Sequence, residues 1–418
     1  MPKQMLTYLY AYKISPSFTF YRNHLCLGLF AVFVGLFITN EQLTAQTTTQ
    51  LTPQAQISIL TASPGDEVYT LFGHTAIRVK DSANGLDVVY NYGIFDFQTP
   101  NFLMKFLRGR LPYQLGAQRF RSFSRVYQRE NRGVKEQILE LSPKETQEFW
   151  NFLQNNYKPE NRAYLYDFFF DNCSSRIRDV LNVVLTDKLA WKTQAQNPTF
   201  RNLLDEYLVE TPWTDFGIDL IIGAVADQKA DVQDQMFLPD YLHDYMATAT
   251  TQDTVVTLGL VNKENVLIER IATEKKPILV TPLIVFIALL LLALGIMPVK
   301  KNWVNRTFDR VWFFFLGLSG LIMLFMWVGT DHDATKLNWN IIWANPLYLV
   351  FFTMMLFNKS GRALSGIWWA IATISVVTLL GWSVIPQQFH IAVIPIILTI
   401  AVRAIYNAKY SIPNSKTS

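Results

Sequence analysis

Residues 70–80 read TLFGHTAIRVK, and the alternation of their side chains decides what the front half of this chain is. Thr75, Ile77 and Val79 fall on one face and His74, Ala76 and Arg78 on the other, the period of two that marks a β-strand. Residues 81–86 (DSANGL) follow as a turn cluster with an Asn-Gly pair, and residues 87–97 (DVVYNYGIFDF) are rich in β-branched and aromatic side chains. Two such runs joined by Asn-Gly predict a hairpin. In that register His74 lies across from Gly93, with Asn91 and Phe95 on the diagonals.

Further along, helices take over. Ser142-Pro143-Lys144-Glu145 has the capping-box pattern with Pro in the first turn, and Phe149, Phe152, Leu153 and Tyr157 recur at helical spacing. Residues 171–185 (DNCSSRIRDVLNVVL) put Ile177, Val180, Leu181, Val184 and Leu185 on one stripe, with Asp171 the expected N-cap and Cys173 in the first turn. Past Lys188 the pattern is of helices and loops with many aromatic residues, and residues 254–271 (TVVTLGLVNKENVLIERI) predict a hairpin turning at 262–265. The expected class of this half is α+β.

The rest of the chain is different in kind. Of 418 residues, 50% are hydrophobic and 17% charged, against about 25% charged in soluble domains. The excess comes from five apolar stretches, 278–297, 311–329, 341–357, 366–385 and 389–406, each near the ~20 residues a membrane span needs except the short third. Lys300, Lys301, Arg306 and Arg310 follow the first, Lys359 and Arg362 the third, and Arg403, Lys409 and Lys416 go with the fifth. The positive-inside rule therefore places those loops and the C-terminus in the cytoplasm, and 330–340 and 386–388 outside. At the other end, Lys3, Lys13 and Arg22 precede the apolar run 25–38 and Ala45, the layout of a secretory signal peptide cut near Ala45/Gln46, with an uncleaved anchor as the alternative. The expected division is a signal peptide (1–45), an exported domain (46–276), an all-α five-helix membrane domain (277–408) and a cytoplasmic tail (409–418). A net charge of +4, in part from basic loops, gives no reason to expect nucleic acid as a partner.

Two cysteines are present, Cys26 in the signal peptide and Cys173, so cleavage leaves one thiol. A helix N-terminus favours the thiolate, and Arg176 and Arg178 add positive charge in sequence, whereas an inert buried cysteine prefers apolar neighbours to Asp-Asn-Cys-Ser-Ser. Of the histidines, His74 on its strand is the candidate base for Cys173, against the plainer reading of a core histidine. The register nominates Asn91 to orient the ring, with Asp96 second. No cofactor motif and no Cys/His ligand cluster is seen, so neither cofactor nor metal is expected. Asp331 and His332 in an outward loop are candidates to reach the site or a lipid headgroup, though ordinary loop polarity is the plainer reading. The same holds for the aromatic, basic stretch 105–132, for which a solvated face is weighed above a membrane surface.

Phe72-Gly73-His74-Thr75-Ala76-Ile77-Arg78-Val79 followed much later by Asp171-Asn172-Cys173 resembles the permuted papain-like order of the NlpC and lecithin retinol acyltransferase superfamily. With the 91–97 strand, the signal peptide and the five spans, the whole chain resembles the Lnb-type lipoprotein N-acyltransferases. One departure from the lecithin retinol acyltransferase branch is the lack of a second His on the next strand. The resemblance implies a papain-like periplasmic domain on a bacterial inner-membrane anchor. It implies acyl transfer from a membrane phospholipid through a Cys173 thioester to the α-amine of a diacylated lipoprotein, with backbone amides at the Cys173 helix start holding the oxyanion. A membrane-anchored cell-wall amidase or cysteine peptidase, and a non-catalytic envelope assembly factor, are the competing readings.

Overall fold

The structure is a computed structural model that describes residues 50–186, 188–193, 197–252, 257–271, 278–300, 302–357 and 361–410. The expected signal peptide with its cleavage point, Cys26, Lys359 and most of the C-terminal tail lie outside the described residues.

The first half contains β1 (Gln56–Ala62), β2 (His74–Asp81), β3 (Leu86–Phe95), α1 (Phe102–Leu107), β4 (Pro112–Arg119), α2 (Phe120–Arg129), β5 (Val134–Leu139), α3 (Pro143–Tyr157), β6 (Ala163–Leu165) and α4 (Cys173–Val184). Then come β7 (Leu189–Ala190), α5 (Phe200–Leu208), α6 (Pro212–Ile221), α7 (Val232–Gln235), α8 (Pro239–Thr248), β8 (Thr250–Gln252), β9 (Thr257–Gly259) and β10 (Val261–Ile268). Seven strands form one antiparallel sheet in the order β10-β5-β1-β2-β3-β4-β6, and β7-β8-β9 form a small second sheet. The class is α+β. The expected hairpin is β2-β3, with Asp81 opposite Leu86 and Ile77 opposite Tyr90. Continued to its end, that register sets His74 across from Gly93. The strand begins at His74 rather than Thr70, because residues 68–70 form a 3-10 turn and Gly73 has φ +79°.

Both faces of the sheet are covered. Ile57, Ile59, Ile77, Val79, Tyr90 and Tyr92 pack under Phe149 and Leu153 of α3, Ile177 and Leu181 of α4, and Leu242 and Met246 of α8. Leu60, Ala76, Val89 and Val134 pack on the other side against Phe123 and Tyr127 of α2. The Ser142 capping box at the start of α3 is present as read, but α4 is capped by Asn172 and not by Asp171. The expected turn at 262–265 is also corrected. Asn262, Glu264 and Asn265 lie within β10, an edge strand paired with β5, where Asn262 and Asn265 bond Glu140 and Glu136 and Glu264 meets His243. Those polar residues answer partners across the strand and alongside it instead of making a turn.

The second half is helical: α9 (Pro282–Ile296), α10 (Asn302–Gly329), α11 (Tyr348–Leu356), α12 (Arg362–Leu380) and α13 (Val393–Tyr410). Among the described residues α10, α12 and α13 are long and apolar enough to cross a membrane, while α9 has 15 residues and α11 has 9. The third apolar stretch is broken: residues 339–342 make a 3-10 turn, and Pro346 bars an α-helical Asn345, so helix starts only at Tyr348. Arg403, counted above among loop cations, is instead fully buried in α13, paired with Asp309 and bonded to Asn305 of α10. A charge in that setting persists because it is paired.

Both loops expected to face outward grip the first half. At the end of α6 the carbonyls of Asp219, Leu220, Ile221 and Ile222 accept hydrogen bonds from the amides of Asn338, Asn340 and Gln387. Helix C-termini leave such carbonyls without intrahelical partners, and here the membrane half supplies them. Gly223 N–H donates to Ala334 O at 2.9 Å, and a Cβ on Gly223 would stand 1.8 Å from Lys336 O, so only glycine admits this approach.

Candidate active site

Cys173 is the first residue of α4, at the end of the helix nearest β2 and β3. The turn is built by Asn172, whose Oδ1 accepts from Ser174 N–H and Ser175 N–H and whose Nδ2 donates to Phe168 O and Phe237 O. Asn172 is therefore fully occupied in holding the helix start. Backbone amides of Thr75, Cys173 and Ser174 point at the sulfur. Of these the Ser174 amide is already committed to the cap, so Thr75 and Cys173 are the freer donors. Gly93 sits at a bulge in β3 with φ +90°, and a Cβ there would lie 4.0 Å from that of Cys173. A side chain at Gly93 would be strained by that φ and would stand in van der Waals contact with Cys173.

His74 heads β2, and its Nε2 lies 3.2 Å from Asn91 Oδ1 on β3. An oxygen acceptor requires the proton on Nε2, which leaves Nδ1 as the basic nitrogen. Asp96 does not take part: it is exposed beyond β3, and its Oδ1 accepts from Gln98 N–H. Arg176 is paired with Asp171 and stacks on Tyr164, with its guanidinium 3.5 Å from the ring centre. Arg178 is bound to Asp179 and to the Gln233 carbonyl. These two arginines thus hold the helix in place.

The reading of single residues overlooked Arg132. It is 5% exposed, donates to Ser63 O and Glu130, lies over the Tyr127 ring, and keeps Nη2 without a hydrogen-bond partner. Its charge acts on both His74 and Cys173. Burial pushes the Cys173 thiol up, against the three amides and Arg132. Burial first and Arg132 second push His74 down to about 4, against its bond to Asn91. At neutral pH the resting groups are consequently a thiol and a neutral imidazole. In sequence Arg132 was one of many cations in 105–132, and nothing in the pattern separates it from the exposed ones.

On the side of Tyr166 the site adjoins the membrane half. Tyr166 is near enough to Cys173 for a thiolate there to raise its phenol, after the larger effect of burial, and it stacks on Tyr113 at 4.6 Å. Tyr113, Tyr166, Phe106 and His332 line one small cavity of about 20 Å³. His332 Nε2 lies 3.2 Å from Phe106 O, and Asp331 pairs with Arg110 while its N–H donates to Arg108 O. The loop is thereby fastened to α1 and the residues just after it.

Two family models match: the Lnb N-terminal periplasmic domain over residues 42–206 and the Lnb transmembrane domain over residues 273–414. The chain belongs to the Lnb family. Among curated proteins and among solved structures no match is found. The Lnb assignment makes this a membrane protein connected with lipoprotein maturation, with a periplasmic N-terminal domain and a membrane-spanning C-terminal region. Residues 207–272 lie between the two Lnb matches, and they include α6, whose Phe216 packs in the core of the membrane helices. Near the junction, carboxylates of Asp205, Asp215 and Asp219 come within 4.8 Å of one another. Buried Arg201 pairs with Asp219 and Asp227 and so gives the cluster a counter-charge, and His390 Nε2 lies 3.3 Å from Asp215.

Proposed function

We propose that this protein is a lipoprotein N-acyltransferase of the bacterial inner membrane, with a permuted papain-like domain in the periplasm, five membrane segments and a cytoplasmic C-terminus. Cys173 is the nucleophile, His74 the base and Asn91 the group that orients it. The observation that supports the reading is the His74–Asn91 pair near a cysteine at a helix start, in a domain where Tyr166, close to Cys173, lines a small cavity together with His332 of the membrane region.

His74 Nδ1 takes the thiol proton as Cys173 Sγ attacks the ester carbonyl of a glycerophospholipid. Substrate-free sites often hold such pairs apart, and the transfer geometry tightens in the complex. The amides of Thr75 and Cys173 stabilise the tetrahedral oxyanion. Collapse breaks the ester C–O bond, the imidazolium protonates the departing lysophospholipid, and a thioester remains. The α-amine of a diacylglyceryl-cysteine then attacks that thioester. An amide forms, the C–S bond breaks, and the amine proton passes through His74 back to sulfur. No redox partner or cofactor is needed for this balance. Anchoring the domain beside two lipids raises their effective concentration.

The test is the intact mass of a diacylated lipopeptide after incubation with purified protein and phospholipid. Wild type should add one acyl chain and Cys173→Ala none. An unchanged peptide mass with wild type, while Cys173 stays reactive to thiol reagents, refutes the reading and favours a cell-wall hydrolase.

A further inference from the structure

α1 has the sequence FLMKFL and not one buried residue. Leu103 is 60% exposed and Met104 56%, with Phe106 and Leu107 exposed beside them. At about 25 cal/mol per Å² of apolar surface, so small a helix does not favour that display in water. An apolar patch rimmed by polar groups marks a partner or a membrane, and three observations here select a membrane. The first is position. Asp331 and His332, which grip the Arg108 and Phe106 carbonyls, come directly after the end of α10, the longest apolar helix. α1 is therefore pinned at the level where a membrane helix leaves the hydrocarbon. The backbone fit is close, since a Cβ on Gly109 would lie 3.1 Å from His332 N. The second is charge, because Lys105 and Arg108 flank the apolar residues as cations do at a phosphate surface. The third is continuity inward. The Phe106 and Phe102 rings stack at 6.2 Å, Phe102 meets Phe95 at 5.7 Å, Phe95 meets Tyr113 at 5.2 Å, and Tyr113 stacks on Tyr166 next to Cys173.

We propose that α1 inserts its apolar side chains into the outward leaflet and forms the mouth of an aromatic path along which an acyl chain reaches Cys173. The cargo of the path rests on the acyltransferase reading above, whereas the insertion of α1 does not. Leu103, Met104, Phe106 and Leu107 enter the acyl region, and Lys105 and Arg108 stay with the phosphates. The donor ester is drawn in past Phe102, Phe95 and Tyr113.

The experiment uses the full chain in nanodiscs of phosphatidylethanolamine and phosphatidylglycerol doped with a phospholipid bearing a diazirine in its acyl chain. After irradiation, peptide mapping should find the label within residues 102–107 as well as on α10. Label on α10 with none on 102–107 overturns the insertion. In parallel, a Leu103→Glu/Met104→Glu variant should lose at least tenfold in acyl transfer from nanodisc phospholipid, while Cys173 is alkylated by a water-soluble reagent at the wild-type rate. Transfer at the wild-type rate overturns the path. Should the glutamates also slow alkylation, a Leu103→Gln/Met104→Gln variant carries the same comparison with a milder change. If wild type transfers no acyl chain at all, the acyltransferase reading falls, and the labelling result alone still decides the place of α1.

Discussion

At Cys173 and His74 the balance between burial and polar contacts sets the resting state. The thiol stands above its ordinary value of 9.0 and the imidazole falls to about 4, so between those limits neither group is charged. In the proposed reaction, proton transfer then belongs to the chemical step itself and not to a preformed ion pair. Alkylation of Cys173 by a neutral reagent should accordingly rise through pH 6–8 without a step near the ordinary histidine value, with its half-point above pH 9. A half-point between 6 and 7 would sink this account. Arg132 favours the thiolate, so Arg132→Met should move the half-point further up. If His74 is the base of the proposed acyl transfer, His74→Ala should cost that reaction about 10²- to 10⁴-fold, read by the lipopeptide mass assay.

Between elements, the most informative contact is the end of α6 against the outward loops. Asn338 Nδ2 donates at 2.8 Å to Leu220 O and at 3.1 Å to Ile221 O, and Asn338 is fully buried. Asn338→Ala leaves two carbonyls without that donor, at a cost of about 1–3 kcal/mol. Thermal unfolding of the detergent-solubilised protein should show it as a lower melting temperature. A melting curve superimposable on wild type would mean that the loops do not secure α6. Gly223 acts at the same junction, where the absence of a side chain allows two backbones to meet.

On the scale of the whole molecule, the junction also holds more negative charge than a buried region readily carries. Burial first, then repulsion from Asp219 and Asp215, raises Asp205 to about 7. A carboxyl with a raised folded pKa binds its proton more tightly when folded, so stability falls as pH climbs from the ordinary carboxyl value, 3.8, through about 7. Asp205→Asn removes that penalty. The variant should melt above wild type at pH 8 and lose this advantage by pH 5, as measured by scanning calorimetry. An advantage equal at both pH values would show that Asp205 is not titrating in this range.

Much of this molecule was legible because local rules apply to it. Period-two alternation marked β2 and β3, Asn-Gly marked their turn, and the helical stripe after Cys173 marked α4. The same register brought Asn91 to His74 ahead of Asp96, since cross-strand geometry follows from counting residues. Apolar runs marked the membrane half, but Pro346 broke one of them and Asn172 displaced Asp171 as the cap. What remained hidden depends on contacts between residues far apart in the chain. Arg132 is one cation among many until folding buries it near both His74 and Cys173. Asp331 and His332 read as loop polarity until they close on α1, and Arg403 as a flanking charge until it meets Asp309 inside the bundle. Sequence by itself determined the elements and nominated the candidate nucleophile and base, because spacing along one chain dictates which side chains share a face. Only the tertiary structure decided their electrostatics and the contacts of the membrane half with the first half, because burial and long-range contact exist only once the chain has closed on itself.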